Sequence, residues 1–325
     1  MSMALLFSSS LFAGVAIAMP FRKVSFLGIT LGVTADKYGA GFSFSYDGAL
    51  WKKLTASIQR KRRKQMVDKH AADAGKSSSK PVLMNQGSLE EHINSTYWYH
   101  TLHFKDGLST PGQFDQNPIL ARYCLPERLD GKRVLDVATF DGFWAFEFER
   151  RGAREVLALD VEGPADCDYL PSRMAKATEE ELSIKFGRGF AIAKAAYHSS
   201  VKRVICNVYD LSPETFGMFD VVHSGDFLIH LNNPVKALQN IAKVCSEYAI
   251  ISDVYDPGLD VMGSRKYIQY HGGHNDVTWW SFSLSALRAM IEDAGFSRVE
   301  LIANFAYGQR GHPENMHHAV FKAYK

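Results

Sequence analysis

Cysteine is scarce in this chain: Cys124, Cys167, Cys206 and Cys245 lie far apart and form no C-x-x-C pair. That spacing argues against a disulfide framework or a cysteine zinc site, and a reduced, cytoplasmic compartment is the expectation. Net charge is also nearly absent, at +2 over 325 residues. The balance hides an asymmetry. Residues 1–80 hold 13 Lys/Arg against Asp36, Asp47, Asp68 and Asp73, a surplus of +9, while the remainder carries −7. Charge alone does not draw a large polyanion to that acidic bulk, whereas the basic first 80 residues can meet one. Internal repeats are missing, and so is a convincing membrane span. The charge-free run "MSMALLFSSSLFAGVAIAMPF" (1–21) is marginal in length, contains three successive serines, and has no Lys or Arg ahead of its apolar part. It reads either as a weak membrane contact or as a buried or artefactual N-terminus, with Met19 as an alternative start.

What is present organises into three parts: a basic extension over 1–80, a cap segment over 81–129 and an α/β domain over 130–325. In the extension, Val24 to Tyr46 alternates apolar and polar residues between glycines, the pattern of a small hairpin. "WKKLTASIQRKRRKQMVDKHAADAG" follows as a basic helix. It is either a solvated face or, over 52–64, an RNA or lipid contact. "KSSSK" (76–80) is a linker. Strands are expected at 133–137, 156–160, 203–208, 219–223, 248–254, 298–304 and 318–323, with helices near 142–151, 173–198, 234–245 and 283–294. Such alternation predicts an open, mostly parallel seven-stranded sheet with helices on both faces, a Rossmann-like fold. No helix separates the last two strands, so they form an antiparallel hairpin. That ending is typical of the methyltransferase variant of the sheet.

Glycine is missing where a nucleotide loop needs it most. After Asp136 the chain reads "VATFDG", so that Ala138 and Phe140 replace two glycines of a D-x-G-x-G-x-G loop and only Gly142 remains. Phenylalanine at the middle position disfavours close packing of a pyrophosphate, and NAD or FAD loses ground. S-adenosylmethionine carries no phosphate and tolerates the change. The expected cofactor contacts are Asp136, Ala138, Thr139, Phe140, Asp141 and Gly142. Asp160, with Val161 beside it, ends the next strand 24 residues on, where an acid accepts ribose hydroxyls, unless it is simply a polar strand end. Asn207, Val208 and Tyr209 are placed at the adenine, although "NVYD" is also turn chemistry. Ser224 and Gly225 end the strand that lies over the methyl-transfer centre in this architecture.

Four stretches carry a resemblance: "YWYHTLHFKDGLSTPGQFD" (97–115), "LDVATFDGFWAFEFERRGAREVLALDV", "FDVVHSGDFLIHLNNPVKAL" and "SFSLSALRAMIEDAGF". Over residues 97–296 the chain resembles class I S-adenosylmethionine-dependent methyltransferases, in particular the family of the tRNA wobble-uridine (5-hydroxyuridine) methyltransferase. Two departures bear on the tRNA assignment. That enzyme's carboxylated cofactor is held partly by a Trp-rich, Lys-containing segment, where this chain has "STPGQFDQNP". Its Tyr-His pair is replaced by Ile229-His230. Ordinary S-adenosylmethionine and a small-molecule acceptor are therefore expected, with tRNA held by 52–64 as the alternative and a non-catalytic binding module as the reading from another class.

Methyl transfer from a sulfonium needs proximity, alignment and exclusion of water. A hydroxyl acceptor also gains from a general base. His230 and Asp226 are the candidates, with His223 nearby, although a histidine there also serves as a packing or capping residue. No Asn-Pro-Pro-Tyr motif follows 219–223, which argues against an exocyclic amine acceptor. Aromatic segments supply the acceptor pocket: Tyr97, Trp98, Tyr99 and His100, then Arg265, Tyr267, His271, Trp279 and Trp280. Either tryptophan of the last pair reads equally as a core lid. A metal site from His271 and His274 with Asp276 or Asp253 lacks ligand spacing, and no metal is expected.

Overall fold

The computed structural model describes residues 22–26, 29–36, 39–46, 87–261, 265–272, 277–312 and 316–325. The run 1–21, the basic helix, the linker, His274 and Asp276 lie outside them. The chain divides into two compact units, Met1–Ser78 and Ser79–Lys325.

In the first unit, β1 (Arg22–Phe26), β2 (Ile29–Asp36) and β3 (Gly39–Tyr46) form an antiparallel sheet in the order β1-β2-β3. The register pairs Arg22 with Val33 and Ile29 with Tyr46. The expected hairpin corresponds to β2 and β3, and Arg22–Phe26 adds a third strand to the ladder.

The second unit is built on a seven-stranded sheet. Its strands are β4 (Arg133–Val137), β5 (Glu155–Asp160), β6 (Lys202–Ile205), β7 (Phe219–Gly225), β8 (Cys245–Tyr255), β11 (Arg298–Tyr307) and β12 (Met316–Tyr324). They lie in the order β11-β12-β8-β7-β4-β5-β6. From β8 across to β6 all neighbours are parallel, while β12 runs antiparallel to both β8 and β11. The expected sheet and its terminal hairpin are both present. A separate two-stranded ribbon joins β9 (Ile268–Tyr270) to β10 (Trp280–Phe282).

Successive residues of a strand face opposite sides of a sheet, and both sides here are apolar. Leu135, Leu157, Val222, Ile251 and Phe321 belong to one core, packed with the helices Pro234–Val244 and Leu284–Asp293. Val134, Val156, Val221, Ile250 and Val320 belong to the other, packed with Phe143–Arg150, Arg188–Tyr197 and the cap residues Trp98, Phe114 and Tyr123. The architecture is therefore helix, sheet, helix, with the cap completing one outer layer.

The single helix expected over 173–198 is three: Pro171–Met174, Glu179–Ser183 and Arg188–Tyr197. Thr178 restarts the chain through a capping box with Glu181. Gly187, at φ 98°, breaks it again before Arg188.

Phe321 is fully buried in the strand that reverses the sheet. Phe321→Ala is expected to destabilise the protein by ~3–5 kcal/mol. Urea denaturation followed by far-UV circular dichroism measures it.

Candidate functional site

The carboxyl end of β4 turns through residues 138–142 into the helix Phe143–Arg150. Ala138, Phe140 and Gly142 all have left-handed backbone, at φ 60°, 48° and 93°. These are the three glycine positions of a D-x-G-x-G-x-G loop, so the glycine-loop backbone persists with two side chains added. Each L-residue held there costs roughly 1–2 kcal/mol, and neighbouring contacts hold the loop in place. Thr139 N–H donates to Leu159 O (3.1 Å) and Phe140 N–H to Asp160 Oδ2 (3.1 Å). On the other side Asp141 Oδ2 accepts from the N–H groups of Tyr99 and His100, both at 2.9 Å, and Oδ1 pairs with His100 Nδ1. Gly142 must be glycine for a second reason, since a Cβ there would lie 2.5 Å from the Phe146 ring. The Phe140 ring meets Tyr97, Tyr99 and Phe186 edge-on, with centroids 6.1, 5.8 and 5.4 Å away.

Asp160 ends β5 and is buried. Its carboxyl also accepts from Val161 N–H (2.8 Å), and Arg203 stands 3.8 Å away. Burial outweighs these partners and pushes its pKa up to about 6. Beyond β6, Asn207 caps a short turn by accepting from Tyr209 N–H (3.0 Å). Tyr209 Oη donates to Asp168 Oδ2 (2.6 Å). Asn207 and Tyr209 line an open cavity of ≈ 430 Å³ with Asp166, Cys167, Asp168, Asn232, Asn233 and Lys236.

At the carboxyl end of β7, Ser224 is buried and Asp226 has a left-handed backbone, φ 48°. His230 follows in a short turn, where its Nδ1–H donates to Val277 O (2.6 Å). That bond leaves Nε2 as the accepting nitrogen, and burial holds the imidazole below its usual pKa. The β9/β10 ribbon docks against this turn: Trp279 N–H donates to Ile229 O (2.8 Å) and Trp280 Nε1–H to Leu231 O (2.8 Å). Trp279 Nε1–H reaches Asp168 O (2.6 Å). His271 Nε2 contacts Ser281 Oγ (2.8 Å) within the ribbon.

The structure therefore brings the 138–142 loop, Asp160, Asn207, Tyr209, Asp226 and His230 to the carboxyl edge of the sheet, where the expected site lies. Several expected contacts belong instead beneath it. Asp136 is buried and accepts from His223 Nδ1–H (2.8 Å) on the paired strand. Val208 is part of the apolar core. Trp98 is buried, with Nε1–H donating to Ile93 O (3.0 Å), and packs the cap. Both His100 and Asp141 have their side chains engaged with each other. Arg265 and Tyr267 sit at the far end of the ribbon, bonded through their backbones to Ser285 and Ser283. The two tryptophans direct their indole N–H groups at main-chain carbonyls, as lids do. Tyr97 alone among the cap aromatics is openly exposed, at 65%, with its hydroxyl on Gln113.

Residues absent from the sequence reading complete the β7 end. His318 on β12 pairs with Asp226 Oδ1 (2.9 Å), and Tyr123 and Tyr307 are buried nearby in the cap and β11. A single signal pointed to His318: a histidine within a strand whose other central residues, Ala319 to Phe321, are all apolar.

The methyltransferase domain family matches residues 117–301, more than half of the chain. The protein belongs to that family, and it is an S-adenosylmethionine-dependent methyltransferase of Rossmann-like fold. Among solved structures it is similar to the N-terminal domain of EvdMO1 with SAH bound, at 18% identity and TM-score 0.51, covering 73% of this chain and 94% of that one. The same domain in the presence of SAH and D-fucose gives 18% identity and TM-score 0.50 over the same shares. Magnesium protoporphyrin IX methyltransferase (ChlM) from Synechocystis PCC 6803 gives 16% identity and TM-score 0.41, covering 64% and 81%. No curated protein matches the chain.

The loop geometry makes a direct prediction. Ala138→Gly is expected to stabilise the fold by ~0.5–1 kcal/mol, because relief at positive φ exceeds glycine's entropic cost. Ala138→Val is expected to destabilise it by more than ~1 kcal/mol. Urea midpoints of the three proteins decide it, and a lower midpoint for Ala138→Gly would count against a strained loop.

Proposed function

We propose that the enzyme uses ordinary S-adenosylmethionine to methylate a hydroxyl or similar neutral nucleophile of a small molecule. The observation that carries this reading is the character of the β7 end, where the carboxylate of Asp226 is followed by the accepting nitrogen of His230, in a turn to which the aromatic ribbon is bonded. A carboxylate at that place suits an acceptor with a proton to share and repels an additional carboxylate on the cofactor.

The residues fit the cofactor. Thr139 Oγ1 in the loop after β4 and Ser224 Oγ at the end of the neighbouring β7 are buried without a partner, which suits a polar ligand there. When bound, S-adenosylmethionine supplies a methyl group already activated on a positive sulfur. In this reading the 138–142 loop borders its polar end, Asp160 accepts from the ribose hydroxyls, and Asn207 and Tyr209 flank the adenine. Ser224 and Gly225 border the methyl-transfer centre. His230 is neutral at pH 7, and its Nε2 takes the acceptor's proton. The ribbon excludes water, which strengthens every polar contact inside.

Asp160 gives the cofactor assignment a pH signature. Its carboxyl titrates at about 6, and the ionised form is the better acceptor. S-adenosylmethionine affinity is therefore expected to fall as pH drops through that value. Asp160→Asn should weaken binding by at least ~10-fold and abolish the pH dependence in that window. Calorimetry measures both. Unchanged affinity in Asp160→Asn would sink the ribose role. For the acceptor, labelled methyl groups should enter a metabolite extract and not total tRNA; label in tRNA would overturn the small-molecule reading.

A further inference from the structure

Among the described residues, the Asp226 carboxylate at the β7 end has an ionisable partner, His318, to which the transfer scheme gives no role. His318 is buried on β12, its side chain 1% exposed, and its two ring nitrogens have different partners. Nε2–H donates to the carbonyl of Tyr307 (3.2 Å), and Nδ1 lies 2.9 Å from Asp226 Oδ1. A nitrogen bonded to a carbonyl must carry a proton, and one facing a carboxylate carries a second, so the pair is an imidazolium against an ionised carboxylate. The Phe305 ring stacks on the imidazole, with centroids 5.8 Å apart, and fixes its plane. Asp226 keeps 20% of its side chain exposed and adopts a backbone conformation unusual for any residue but glycine, φ 48°. Strain of that kind persists where surrounding contacts hold it, and here the Asp226 N–H donates to Ser252 O (2.9 Å).

Around the pair stand Asp253 on β8, His223 on β7, His100 from the cap, and the phenols of Tyr99, Tyr123 and Tyr307. The hydroxyls of Tyr123 and Ser252 are buried with no hydrogen-bond partner, and the Tyr307 hydroxyl has the Asp115 backbone beside it. Hydroxyls with bonding capacity to spare, near a partly exposed carboxylate, make poor apolar packing and a good receptor for a group rich in hydroxyls.

We propose that Asp226 and His318 form a charged dyad that anchors a polyhydroxylated, sugar-like acceptor, with His318 as the positioning residue that fixes the Asp226 carboxylate. This rests on the reading of the chain as a small-molecule methyltransferase and names the class of its acceptor. Asp226 holds the reacting hydroxyl, and the phenols of Tyr123 and Tyr307 bond its neighbours. In the transfer the acceptor oxygen forms a bond to the methyl carbon, the carbon–sulfur bond breaks with its electron pair remaining on sulfur, and the acceptor proton passes to His230 Nε2. The sulfonium charge is thereby replaced by an imidazolium charge, and the dyad's own charges do not change.

Two measurements on the full-length protein test this. Imidazole nitrogen NMR, with the His318 signal assigned by its loss in His318→Gln, is expected to show both nitrogens protonated at neutral pH. In Asp226→Asn the same ring should become neutral. A neutral His318 in the parent at that pH, or no change in Asp226→Asn, would overturn the dyad whether or not the protein transfers methyl groups. The second measurement fractionates the metabolite extract after labelling. Label is expected in carbohydrate-containing fractions. For His318→Gln we expect KM for that fraction to rise ~10-fold or more at little change in kcat, with the acid limb of the kcat/KM profile displaced upward by ~1 unit. A profile of parental shape at a uniformly lower rate would mean that His318 only supports the fold. Label confined to fractions without carbohydrate would reject the acceptor class. A parent that binds S-adenosylmethionine yet labels nothing would reject the underlying reading while the NMR result still judges the dyad.

Discussion

The buried carboxylate of Asp141 is the constraint on which the site depends. It lies in the turn after β4, yet all its hydrogen bonds run to a segment some forty residues earlier, through two backbone N–H groups and the His100 ring. A carboxylate taken out of water is tolerated only when its lone pairs are filled, and removing one partner strands the charge. The cap and the loop therefore form together. Gly112 shows how closely: a Cβ there would come within 2.1 Å of the His100 carbonyl carbon, so the cap doubles back on the very residue that binds Asp141. The bonds that dock the cap also hold Phe140 and Ala138 in backbone conformations they would not adopt alone.

The same principle governs the remainder of the carboxyl edge. Asp136 is matched by His223 across a parallel strand pair, Asp253 by the N–H groups of Phe227 and Leu228, and Asp226 by His318. Each acid sits near the end of a central strand. Burial raises Asp253 to about 7, with the charge on Asp226 adding to the effect, whereas His318 keeps Asp226 below the usual carboxylate range despite its own desolvation. Neighbouring acids thus differ in affinity for a proton because one has a cation beside it and the other has only amides. Environments that part like residues in this way commonly mark a reaction centre.

Much of this was legible in the chain. Strand and helix periodicity placed every strand of the large sheet, and the lack of a helix before 318–323 foretold the reversed strand. The place of Asp160 is readable from spacing, because an acid at the second strand end is a local signal, and it does end β5. The misreadings share one cause, which is that a side chain's partner can lie far off in sequence. Trp98 looked like an exposed recognition residue because its partners, Ile93 and the surface of Gly189, become apparent only when the cap folds onto the helix Arg188–Tyr197. Asp141 has the sequence position of a loop contact, yet its carboxylate is bonded to the cap. His318 is hard to read because it is 92 residues from Asp226, and only its place against the apolar run Ala319 to Phe321 separates the buried histidine from its exposed neighbour His317. The long helix expected over 173–198 fails for a more local reason, since composition favoured helix throughout while Thr178 and Gly187 imposed breaks.

Phe140 ties these lines together. A loop that had merely lost its glycines would be expected to relax into ordinary right-handed or extended backbone, since nothing obliges a phenylalanine to remain at φ 48°. It has not relaxed: the left-handed positions recur at 138, 140 and 142, with Asp160 and Asp141 gripping the loop from opposite sides. The backbone has thus kept the left-handed path of a glycine loop, while the added ring packs among Tyr97, Tyr99 and Phe186. Substitution at that one glycine position separates two properties that a glycine-rich loop combines, close approach of the main chain and room for a phosphate. Only a ligand that wants the first without the second is served, and a sulfonium nucleoside is of that kind.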